Sequence, residues 1–119
     1  MPWKYFTLNE FDDPSVKGSG CNMDLEFINL LELIRGECNF PFKITSGFRT
    51  KEHNEKVGGV SGSAHTDGVA ADIAVSNSQQ KFKLITTAIN HGVRRVGVGN
   101  TFVHLDISRH LPQDVLWTY

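Results

Sequence analysis

The chain of 119 residues suits one compact domain, 1–119, and is too short for two that fold alone; its 39% hydrophobic and 21% charged residues are those of a globular protein. A net charge of -1 excludes the clustered cationic footprint that nucleic acid binding needs, Arg94 and Arg95 being too few to make a patch. No apolar run approaches the roughly 18 residues of a membrane span, and "MPWKYFTLNEF" lacks the apolar stretch of an export signal, so a soluble monomer made in the cytoplasm, without membrane insertion, is expected.

Along the chain, "TLNEF" places Thr7 three residues before Glu10, the spacing of a capping box, and Pro14 stops whatever short helix follows. Asn22 or Asp24 caps a helix over roughly 24–36, in which Phe27, Leu30, Leu31 and Ile34 recur at the spacing of one buried face. Cys38 falls on the same periodicity and reads as buried filler, and it and Cys21 are expected to remain free thiols in a chain without an export signal. "FPFKITSGF" alternates from Phe42 to Ile44 as a short strand that turns at Gly47. Thr50 caps a turn or two of helix ended by Gly58 and Gly59, and the loop "SGSAHTDG" follows.

"VAADIAV" reads as a strand over roughly 69–75, with Asp72 on the face of Ala70 and Ala74, and Ala71, Ile73 and Val75 on the other. Ser76 with Gln79 makes a second capping-box spacing, ahead of a helix whose buried stripe is Phe82, Ile85, Ala88 and Ile89 and which stops at Gly92. "RRVGVG" and "TFVHLDIS" form two strands joined at Gly99-Asn100, and period two puts His104 and Asp106 on one face of the second. The whole is an α+β domain: a small antiparallel sheet with helices packed on one side.

Asp72 is the anomaly, because a carboxylate in an apolar strand costs several kcal/mol unless hydrogen bonds, a cation or a metal compensates it. A wet face or an arginine partner would explain it equally. His65, after a glycine-containing loop, is by itself an ordinary hydrogen-bonded histidine, and His104 beside Asp106 marks a polar sheet face. Taken together, two histidines and a carboxylate are the set that holds zinc with a fourth position open, as catalytic sites require.

"ITSGFRTKEHNEKVGGVSGSAHTDGVAADI" followed by "FVHLDIS" resembles the M15 family of zinc peptidases, the D-alanyl-D-alanine carboxypeptidase and dipeptidase group. Small phage-type members are the most similar in layout, from "YFTLNEF" to the closing "VLWTY". The resemblance implies a hedgehog/DD-peptidase-like fold, a Zn2+ cofactor on His65, Asp72 and His104, and peptidoglycan stem peptides as the partner. It implies that Arg49 of "SGFRT" reaches the site to hold a carbonyl or an oxyanion, and that Ser63 contacts substrate. The alternatives for these two are a surface ion pair with Glu52 or Asp67 and a loop-stabilising hydroxyl.

One departure stands out: better-known relatives carry Glu or Asp three residues before the last histidine ligand, and this chain has Thr101. Asp106 is then the first candidate for the catalytic carboxylate, either as general base or as the group that orients His104, with His53 and His110 behind it. The implied activity is hydrolysis of an amide bond at the cell wall by a carboxypeptidase or endopeptidase, within phage lysis or as part of a virion. The rivals are a zinc-containing module without turnover, as in hedgehog signalling proteins, and a metal-free virion structural protein.

Overall fold

In the computed structural model, which describes residues 3–59 and 62–119, the first long helix, α1, runs Leu25–Glu37. Of the two expected caps Asp24 serves, its carboxylate accepting from the Glu26 N–H at 2.8 Å. The helix buries Phe27, Ile28, Leu31 and Ile34, so Ile28 takes the full burial expected of Leu30, which lies at the rim of the core. Cys38, just past the helix, is buried and Cys21 is exposed; both are free. Thr7 and Glu10 form the expected box around a single 3-10 turn, Leu8–Phe11. Val60 and Ser61, at the start of the expected loop, lie outside the described residues, as do Met1 and Pro2.

The remaining elements are β1 (Ile44–Ser46), α2 (Lys51–Lys56), β2 (Ala70–Ala74), α3 (Ser78–Asn90), β3 (Arg95–Val98), β4 (Phe102–Asp106) and β5 (Val115–Thr118). Pairing in β1 begins two residues later than the alternation suggests, because Phe42 sinks into the core and the register with β2 is irregular between Ile44 and Ser46. The cap of α3 is also displaced. Asn77 accepts from the Gln80 N–H at 2.8 Å while the Gln80 side chain accepts from the Ser76 N–H, so the expected Ser76–Gln79 box is corrected by one residue. Its buried face is Leu84, Thr87 and Ala88; Phe82 and Ile89, expected inside, are 70% and 51% exposed. At about 100° per residue, Phe82 lies roughly 200° round from Leu84, and the sheet holds the Leu84 side.

The strands form one sheet in the order β1-β2-β4-β3-β5. The α+β class is as expected, but the sheet is mixed: β5 runs parallel to β3, returning through residues 107–114, while the other pairs are antiparallel. One face of the sheet carries Ala71, Ile73, Val96, Val103 and Leu105, which join the apolar stripes of α1 and α3 in the core. The opposite face carries Asp72, Arg95, His104 and Asp106 beside Ala70, Phe102 and Trp117. Among the described residues no helix is long and apolar enough to cross a membrane.

Candidate metal centre

Strand register assembles the polar face. One rung across the sheet reads Ser46, Asp72, His104, Gly97 and Trp117, and two rungs along, on the same face, Asp106 stands opposite both Ala70 and Arg95. Asp72 and His104 are therefore direct cross-strand neighbours, with His104 Nδ1 2.9 Å from Asp72 Oδ1. Gly97 matters by its bareness: a Cβ there would stand 2.7 Å from the Trp117 indole, which lies across that position with its ring 5.3 Å from that of His104.

His65 enters from the loop after α2. Its carbonyl accepts from the Arg49 N–H at 3.1 Å, and its Nδ1–H donates to the Gly47 carbonyl at 2.8 Å. Nε2 is thereby left as a lone pair, 3.3 Å from Asp72 Oδ1. His104 is fixed in the mirror sense, with Nε2–H donating to Asp106 Oδ2 at 2.6 Å, so that its neutral form also aims a lone pair, on Nδ1, at Asp72. His65, Asp72 and His104 thus bring three ligand atoms within 4.8 Å of one another.

Electron-rich atoms crowded in this way repel unless positive charge lies among them. Burial alone would raise the Asp72 pKa and lower that of His104; bonds and charge from His104 and His65 on Asp72, and from Asp106 and Asp72 on His104, reverse both, holding Asp72 well below the usual carboxylate range and His104 above the usual imidazole value. A divalent cation supplies the same positive charge while leaving both imidazoles neutral, and the N,N,O donor set with each histidine braced from behind suits zinc.

Asp106, 1% exposed, is fully engaged: Oδ1 accepts from Arg95 Nε at 2.7 Å and from the Ser108 N–H at 3.0 Å, and Oδ2 from His104. Burial opposes its ionisation, but the bond to and charge of His104, the Ser108 N–H and the charge of Arg95 together outweigh burial, so its pKa is lowered. Arg49 and Ser63 both line a cleft of about 460 Å³ over the three ligands, and Arg49 Nη1 donates to the Asn54 side chain at 3.0 Å. The Ser63 hydroxyl accepts from the His65 N–H at 3.2 Å, so it braces the loop as well as facing the cleft. Thr101 sits exposed in the β3–β4 turn. His53 lies 3.9 Å from Asp13 and His110 is exposed; neither lines this cleft.

Three cleft residues escaped the sequence reading. Arg95 was legible in principle, since the Gly99-Asn100 turn folds "RRVGVG" onto "FVHLDIS" with Arg95 opposite Asp106. Trp117 and Tyr119 were not, because a parallel return over residues 107–114 leaves no periodic signal. Tyr119 packs at a tilt against Phe102 with 5.0 Å between centroids, extending the aromatic wall that Trp117 begins.

The Peptidase M15 family model matches residues 4–106, a span that holds Arg49, Ser63, His65, Asp72, His104 and Asp106 and ends before Trp117 and Tyr119. No curated protein matches the chain.

Proposed function

The chain belongs to the M15 peptidase family, and from that premise we propose that it hydrolyses an amide bond in the stem peptides of bacterial peptidoglycan, as a zinc-dependent carboxypeptidase or endopeptidase. The observation that carries the reading is the convergence of His65 Nε2, His104 Nδ1 and Asp72 Oδ1, each imidazole having its other nitrogen bonded behind. Zinc held there supplies a Lewis acid that polarises the scissile carbonyl and acidifies water near neutral pH.

The side chains divide the remaining tasks. Gly47 and Asp106 keep His65 and His104 in the tautomers that present lone pairs to the metal. Arg49, on the cleft wall, receives the negative charge that develops on the substrate oxygen, and Ser63 offers a hydroxyl to the peptide. Asp106 acts through His104 and not on substrate, since both its oxygens are already bonded. The substrate puts the reaction at the cell wall, in a phage lysis protein or a virion component.

Thr101 in place of a carboxylate, with Asp106 so engaged, favours a second reading, a zinc-bearing module that binds peptidoglycan without cleaving it. Incubating the purified chain with isolated sacculi and with soluble stem peptides separates the two. New amino termini or released D-alanine, lost with chelator and restored by zinc, establish the peptidase. Zinc binding and sacculus binding without any cleavage establish the module.

A further inference from the structure

We propose that Arg95 is a positioning residue that sets the metal centre and the wall of the cleft together; its metal arm rests on the zinc reading above. The residue is 9% exposed, and the parts of its side chain do different things. Nε donates to Asp106 Oδ1 at 2.7 Å, Nη1 donates to the Pro112 carbonyl at 2.6 Å, and the guanidinium carbon stands 5.1 Å from the centre of the Trp117 ring.

The first contact continues through Asp106 Oδ2 to His104 Nε2 at 2.6 Å and so reaches a metal ligand in two steps. The other two hold the return loop and β5, an edge strand whose partner in the sheet is β3. Only a planar fork can bond a carboxylate, a carbonyl and an indole face in three directions at once; an ammonium serves one or two of them. Without the guanidinium, Asp106 is a buried carboxylate that must turn to another donor, and His104 loses its fixed acceptor. Trp117, which rests on the bare Gly97, loses the cation beside its ring.

The experiment uses the full chain with Trp3→Phe as parent, which leaves Trp117 as the single indole. Zinc affinity is measured by competition with a chromogenic chelator, and Trp117 emission is recorded without metal. Arg95→Gln is expected to weaken zinc binding by about tenfold or more and to shift the emission to the red. Asp106→Asn is expected to weaken zinc comparably and leave the emission alone, because it touches one arm only. Arg95→Lys, which keeps a cation on Asp106, should bind zinc within about threefold of the parent while still shifting the emission.

Parental zinc affinity or parental emission in Arg95→Gln overturns the proposal. Should Arg95→Gln fail to fold, Arg95→Lys decides, and parental emission there is equally fatal. A parent that binds no zinc refutes the metal reading by itself; the metal-free emission then still decides whether Arg95 holds the wall.

Discussion

Three aspartates are held inside this chain, and each has a different means of keeping its charge. Asp106 has an arginine and an imidazole, Asp72 has two imidazoles, and Asp13 has chiefly hydrogen bonds, with His53 at 3.9 Å: Ser15 gives its N–H and hydroxyl to Oδ1, and the Thr50 N–H meets Oδ2 at 2.6 Å. Asp72 is the one whose partners are themselves metal-ligating groups. Untagged wild-type protein is therefore expected to carry about one zinc, and His65→Ala, Asp72→Ala and His104→Ala to lose most of it in metal analysis. Equal zinc in all four would end the assignment. For Asp13, burial would raise the pKa, but the bonds from Ser15 and Thr50 prevail and bring it down to about 2. A folded value below the ordinary 3.8 means stability that is complete above pH about 4 and lost as pH falls through 2. Urea midpoints at pH 5, 3 and 2 should show the wild type losing on the order of 1–2 kcal/mol over that interval and Asp13→Asn starting lower with a flatter profile. Parallel profiles would refute it. Asp72 drew attention in the sequence because its neighbours are apolar; Asp13 sits among polar residues and gives no such sign.

Elements were legible where local chemistry decides them and displaced where tertiary packing does. β2 and β4 lie within a residue or two of their alternating runs, and period two put Asp72 with Ala70 and Ala74 and His104 with Asp106; only the strand register makes Asp72 and His104 cross-strand neighbours. α3 shows the limit. Ser76 and Asn77 are both acceptable caps in sequence, and the structure selects Asn77 because its side chain, not that of Ser76, meets the Gln80 N–H. Asn77→Ala should then cost about 1 kcal/mol of unfolding free energy, while Ser76→Ala stays within about 0.5 kcal/mol, since Ser76 contributes only its backbone N–H to Gln80. Thermal unfolding of the two variants side by side checks this, and a larger loss in Ser76→Ala would restore the sequence expectation. β5 could not have been placed by such rules: "VLWT" is short, its partner lies on the far side of a hairpin, and its anchors are the Arg95–Pro112 and Arg95–Trp117 contacts.

Across the whole molecule the sheet separates two jobs, with helices and core on one face and the candidate centre on the other. The three ligands come from the loop before β2, from β2 itself and from β4, so a metal there ties together segments up to 39 positions apart, from His65 to His104. A group that binds only this arrangement stabilises the fold by mass action, by about 4 kcal/mol when its free concentration is a thousandfold above Kd. For a domain of this size that corresponds to a rise in Tm on the order of 10–20 °C. His65→Ala should lose nearly all of the rise. Asp13→Asn, which lowers stability elsewhere, should keep it in full, because the Asp13 bonds to Ser15 and Thr50 include no ligand. Scans of the three proteins in chelator and in buffered zinc test the point. A rise in His65→Ala as large as in the wild type would mean that zinc stabilises the chain from somewhere other than the rung that joins Asp72 to His104.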